Sequence, residues 1–248
     1  MLCAAAIIAG FSLTGPIPQD PAYHLFADGN TLLGMVNALN VLSNLPFVVV
    51  GFWGLIYVLR RRAFVGEIST AYAVFFLGIL LTGFGSGYYH LTPANETLIW
   101  DRLPMTIGFA GLFSAVVSEF VSKRIGRQLL LPLLVIGAGS VAYWAMTEAR
   151  GAGDLRPYAV VQFLPMLLIP FILAVRGRGR RTARYFWAVI FFYVLAKIAE
   201  FYDAELFSTL RIISGHSLKH LLAVLSPLAL LVGLAAVSRD AKLGRAPH

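Results

Sequence analysis

Hydrophobic residues along this chain recur as long unbroken runs, not as the alternation of a half-buried strand or the stripe of a soluble amphipathic helix. Seven runs cover approximately 35–59, 70–90, 98–121, 128–147, 157–175, 185–203 and 215–237. Each approaches or exceeds the roughly 20 residues that a helix rising 1.5 Å per residue needs to cross about 30 Å of hydrocarbon. The connections are short and rich in Arg, Gly, Pro or Asp, with no room for a second domain. The pattern predicts an all-α polytopic membrane protein, a single membrane domain over 1–248 built as a seven-transmembrane-helix bundle. Residues 1–15 add a shorter apolar stretch closed by Gly15-Pro16-Ile17-Pro18. A signal-peptide core, an uncleaved anchor and an extra helix all fit it. Without a basic n-region or a small-x-small cleavage site, it reads best as an extra short N-terminal hydrophobic helix.

Composition agrees with the pattern. Hydrophobic residues make up 58% of the chain and charged residues 13%, against about 25% charged in soluble domains. That excludes a water-soluble globule and a disordered tail. One cysteine, Cys3, excludes an intrachain disulfide and a thiolate metal cluster. The net charge of +8 would suit a nucleic-acid partner in a polar chain, but here its distribution assigns it to topology. Arg60–Arg62, then Lys123, Arg124 and Arg127, then Arg176, Arg178, Arg180, Arg181 and Arg184, and finally Arg239, Lys242 and Arg245 place fourteen cations in every second connection and the tail. The alternate connections hold three, Arg150, Arg156 and Arg211. Cytoplasmic loops carry such an excess, so the C-terminus is read as cytoplasmic and the start of span one as external. Sixteen arginines against four lysines, beside abundant Ala and Gly, suggest a GC-rich bacterial genome. The expected location is therefore a bacterial inner membrane, its outer face toward the periplasm.

Ionisable groups inside apolar spans are costly and are functional candidates. His216 and His220 stand four apart at the start of span seven, so both imidazoles project from one helix face. Span two closes with Ser86 and His90, again four apart, and Asp101 lies in the first turn of span three. The alternation of spans brings all five to one layer near the outer face. Three imidazoles with an open fourth position make the usual ligand set of a catalytic zinc, though copper, nickel or iron share the ligand type. The alternative is a set of hydrogen-bonded structural histidines. Ser217 stands where a zinc-protease HExxH motif would carry its glutamate, so a general base must come from another helix. Asp101 is the carboxylate at that depth.

Other polar groups carry weaker expectations. Lys197, Glu200 and Lys219 read as an ion-paired cluster, in which a Glu200–Lys219 pair would fix the rotation of span seven and so aim His216 and His220. Asp203 reads as an interfacial residue closing span six. Glu119 and Lys123 read as an ordinary i,i+4 helix pair. Asn40, Ser43 and Asn44 are expected to hydrogen-bond neighbouring helices, with support of the site as the alternative. Trp100, Trp144, Tyr88, Tyr89 and Tyr202 are expected at the headgroups as amphipathic anchors.

The combination of SxxxH (Ser86, His90), a lone Asp opening the next helix (Asp101) and HxxxH in the last helix (His216, His220) resembles the alkaline ceramidases. It is also similar to the wider seven-helix membrane-hydrolase superfamily that includes the adiponectin-receptor-like proteins. The segment Asn40-Val41-Leu42-Ser43-Asn44-Leu45-Pro46 resembles the family's first helix, and the likeness covers roughly 23–237. The resemblance implies a Zn2+-dependent amidase that cleaves ceramide to a sphingoid base and a fatty acid. It implies that His90, His216 and His220 hold zinc, that Asp101 contacts the attacking water, and that Ser86 sits beside the metal and the substrate carbonyl. Eukaryotic members carry an acidic calcium-binding cluster ahead of and within the first helix. Here Tyr23–Asn37 offers only Asp28, and Asn37 stands where a glutamate is expected, so a calcium site stays unknown. The expected function is hydrolysis of an N-acyl lipid drawn from the bilayer, ceramide or another. The alternatives are a zinc-containing receptor or sensor without efficient turnover and a histidine-lined transporter. Confinement of the polar layer to the outer third counts against transport.

Overall fold

The computed structural model describes residues 15–61 and 65–242. The segment 1–14, with most of the expected N-terminal helix, lies outside them, as do Arg62, Arg245 and His248. Among the described residues ten α-helices run α1 Ala38–Leu42, α2 Leu45–Arg60, α3 Ser69–Leu91, α4 Asn95–Phe120, α5 Lys123–Ala149, α6 Arg156–Arg176, α7 Ala183–Phe201, α8 Asp203–Leu210, α9 Gly215–Ala223 and α10 Leu225–Lys242. Among the described residues the β-pairing is one isolated bridge, Leu32 to Met35. Six spans among the described residues are long and apolar enough to cross a membrane, and α7 with α8 makes a seventh only as a pair, bent by 78°. The protein is an all-α polytopic membrane protein.

Two of the expected continuous spans are broken, for one physical reason. A proline ring clashes with the carbonyl four residues before it. Pro46 ends α1 at Leu42 and Pro227 ends α9 at Ala223, in each case the fourth residue back. The first break leaves Ser43 and Asn44 free to turn inward. The second leaves α9 as a short helix of its own.

Span six, expected over 185–203, also differs. It stops at Phe201, Tyr202 leaves helical geometry, and the chain bends into α8, a segment expected to be a plain connection. Helix α8 buries none of its residues. Glu119 and Lys123 likewise do not share a helix, because α4 ends at Phe120 and Lys123 opens α5; Glu119 instead accepts from the Tyr72 hydroxyl at 2.7 Å.

The main core lies between α3, α4, α6 and α7, with Phe75, Phe76, Val116, Ile169 and Phe186 at its centre. A smaller cluster near the other end gathers Tyr89, Leu98, Trp144 and Tyr158. Trp144 is 0% and Tyr89 1% exposed, which corrects their expected place at the headgroups. A tryptophan near a helix end can face either way, and here it faces the bundle. Trp100, Tyr88 and Tyr202 do stand exposed.

Candidate active site

The last two turns of α3, the first two turns of α4 and all of α9 meet at one end of the bundle. Their approach depends on two glycines. A Cβ on Gly85 would collide with the Trp100 carbonyl, so its absence lets α3 close on the start of α4 and sets Ser86 beside Asp101. A Cβ on Gly215 would lie 2.7 Å from Asp203 Cα, so its absence seats the start of α9 against the α7–α8 bend.

His90, His216 and His220 come together there, buried at 1%, 6% and 4% exposure. Their ring centroids form a nearly equilateral triangle with sides of 4.9, 5.0 and 5.0 Å. The planes are crossed, not stacked, and one nitrogen of each ring lies within 4.8 Å of the others. The three are close enough to hold one metal ion. Phe26 covers two of them, its ring 4.7 Å from His90 and 4.6 Å from His216.

Ser86, Asp101 and His220 line a single cavity of about 270 Å³. Ser86 stands beside the Asp101 carboxylate, with its hydroxyl placed to interact with it. Apolar side chains, among them Phe47, Met105 and Phe163, form much of the remaining wall. Glu200 takes both neighbouring ammonium groups, Lys197 at 2.6 Å and Lys219 at 2.8 Å. Lys219, between the two α9 histidines in sequence, is thereby tied back to α7.

With this geometry in view, the comparison with known proteins is decisive on one point. The family model described as Ceramidase matches residues 34–239. The chain belongs to the Ceramidase family. No curated protein and no solved structure matches it. Family membership makes it a ceramidase-like hydrolase, and the apolar helices and the family together imply a lipid substrate.

In this ceramidase-family chain the histidines rest on a polar scaffold that sequence reasoning resolved only in part. His220 Nδ1–H donates to Ser43 Oγ at 2.8 Å, and Ser43 donates on to the Asn40 carbonyl at 3.1 Å. That leaves the lone pair of His220 Nε2 free to bind a metal. Asn40, 0% exposed, accepts from Ser217 Oγ at 2.7 Å through its side chain and donates to the Asp28 carbonyl at 2.9 Å. The α1–α2 residues therefore both bond neighbouring segments and brace the site, so the two expected alternatives hold together. Asp203, expected to be merely interfacial, accepts the His216 backbone N–H at 2.6 Å and the Ala27 N–H at 3.0 Å. Its carboxylate anchors the first turn of α9, where the helix dipole also favours a negative charge. Asn37 donates to the His90 carbonyl at 3.1 Å. His24, to which no role was given, bridges Tyr89 and Asn95 through its two ring nitrogens, each at 2.9 Å.

Calcium takes six to eight oxygen ligands, commonly from several carboxylates. The side chains of the 23–37 loop supply one carboxylate, Asp28, whose Oδ1 accepts the Asn30 N–H while its Oδ2 is buried without a partner. One carboxylate is fewer than a calcium site commonly draws on, and hydrogen bonds from Asn37 to the His90 carbonyl and from Asn40 to the Asp28 carbonyl tie the loop to the bundle.

Proposed function

We propose that the chain is a zinc-dependent intramembrane hydrolase that cleaves the amide bond of an N-acyl lipid to a free amine and a fatty acid. One observation carries the reading: three buried imidazoles from two helices converge beside a cavity that also holds a paired serine and aspartate. The donor set fits zinc. Two nitrogens each about 2.0–2.1 Å from a tetrahedral ion stand roughly 3.3 Å apart, and His90 Nε2 and His216 Nε2 are 3.3 Å apart. His90, His216 and His220 would hold the ion, with Ser43 fixing the His220 tautomer. A bound zinc supplies Lewis acidity and a water acidic enough to attack at neutral pH.

The chain's own groups do the rest. Asp101 accepts a proton from the attacking water and delivers it to the leaving amine nitrogen. Ser86 has a single O–H, which the resting Asp101 carboxylate beside it would take. Once Asp101 is protonated it can donate to Ser86 Oγ, and the serine O–H is released to stabilise the developing oxyanion. Proton transfer and oxyanion stabilisation are thereby coupled. The apolar wall around Phe47, Met105 and Phe163 receives the acyl chain. Glu200 and Lys219 hold the rotation of α9 and act only through the histidines. The arginine distribution supports a cytoplasmic C-terminus and a site near the outer face of a bacterial inner membrane.

The test uses purified protein and a fluorescent N-acyl lipid. About one zinc per chain is expected, with His220→Ala losing both metal and hydrolysis. Asp101→Asn should keep the metal and lose at least about 100-fold in rate. Metal bound without turnover on any lipid amide would overturn the enzyme reading in favour of a receptor.

A further inference from the structure

The cavity beside the histidines carries more positive charge than its own carboxylates neutralise. Three cations, Arg102, Lys197 and Lys219, and two carboxylates, Asp101 and Glu200, line it. Both lysines are committed to Glu200. Arg102 is differently placed. It is 5% exposed, and among the described residues no ion pair reaches it. Its Nη2 donates to the neutral amide of Gln19 at 2.5 Å, and the Tyr23 ring lies 5.7 Å from its guanidinium carbon. The Trp144 ring lies 4.2 Å and the Tyr158 ring 4.9 Å from its guanidinium carbon. Its Nη1 is buried with no partner at all.

Aromatic faces attract a cation but do not neutralise it. A guanidinium does not lose its proton in a protein. A buried cation of this kind is costly unless an anion joins it. The planar N–H fork matches a carboxylate, which can take two parallel hydrogen bonds. Position indicates which part of a substrate would bring that anion. The acyl chain has the apolar wall, whereas Arg102 lines the same cavity as Asp101, the group assigned to the leaving amine.

We propose that the lipid this cavity takes bears a carboxylate on the amine side of its amide, as an N-acyl amino acid does, and that Arg102 is the residue that binds it. The proposal rests on the amidase reading above and narrows it: a ceramide headgroup, which is uncharged, leaves Arg102 unanswered.

The experiment compares N-palmitoylglycine with N-palmitoylethanolamine, which share the acyl chain and differ in the headgroup charge. In detergent micelles, kcat/KM should be at least about 10-fold higher for the glycine conjugate, the size expected of a charge-assisted hydrogen bond. Arg102→Gln should bring that ratio to about one, chiefly through KM. Arg102→Lys keeps the charge without the fork and should retain a reduced preference, and it carries the test if the glutamine variant does not fold. Calorimetric binding of N-palmitoylglycine to metal-free protein needs no turnover. Binding lost in Arg102→Gln, with hydrolysis absent throughout, would sink the amidase reading and leave the anion site standing. Equal kcat/KM for the two substrates in the unaltered protein would overturn the proposal. So would a change confined to inhibition by palmitate, which would assign Arg102 to the fatty-acid product.

Discussion

Replacing Ser43 by alanine tests whether the hydroxyl chain behind His220 organises a metal centre. In the native arrangement Ser43 Oγ accepts from His220 Nδ1 at 2.8 Å and is itself held by the Asn40 carbonyl. Asn44 Nδ2 lies 3.4 Å from the same ring nitrogen but is a donor, so it cannot take the serine's place. Ser43→Ala therefore leaves a buried N–H without an acceptor, at a cost of about 1–3 kcal/mol. His220 can escape that cost by moving its proton to Nε2, which removes the nitrogen that would bind metal. Either route weakens metal binding, and losses of 10- to 100-fold are typical when such an orienting partner is removed, equivalent to roughly 1.4–2.8 kcal/mol. Competition with a chromogenic zinc chelator measures this directly. Ser43→Thr, which keeps a hydroxyl, should stay nearer the native affinity than the alanine variant. If Ser43→Ala binds zinc within about threefold of the native protein while His220→Ala loses it, the orienting role assigned to Ser43 is wrong.

Two further outcomes follow from the same structure. Gly215→Ala should push α9 off the α7–α8 bend, since the new Cβ would stand 2.7 Å from Asp203 Cα and 3.0 Å from its nitrogen; overpacking of this kind costs about 1–3 kcal/mol, and both the unfolding temperature in detergent and the metal content should fall. Asp154, in the α5–α6 connection, is held at about 2 by its hydrogen bonds to Arg156, against an ordinary value of 3.8 and against the opposing effect of burial. Because the folded value is the lower one, its stabilisation is fully present above about pH 4 and is lost as pH falls toward 2. Asp154→Asn should therefore lower the thermal midpoint at pH 6, and the gap from the native protein should shrink by pH 3; a gap that stays constant with pH would refute the assignment.

The long apolar runs determined the fold class before any coordinates, because a bilayer demands about 20 apolar residues per crossing and little else produces them. Helical periodicity likewise put His216 and His220 on one face, since residues four apart on a helix are neighbours whatever surrounds them. The two helix breaks each lie four residues ahead of a proline, but sequence does not single them out, because Pro104, Pro132, Pro165 and Pro170 sit inside helices that continue past them. Tertiary structure decided what periodicity cannot address. Whether Trp144 meets lipid or the guanidinium of Arg102 depends on the rotation of α5, and an apolar helix end carries no mark of that rotation. Asp203 sits in an ordinary polar connection, and only the 78° bend after α7 brings its carboxylate to the first turn of α9. Ser43 and Asn40 gained their places at His220 and Ser217 from a helix break and a contact about 177 residues away along the chain. Local forces act along a few turns of chain and can be read from sequence, whereas a site assembled from four segments exists only once those segments are packed.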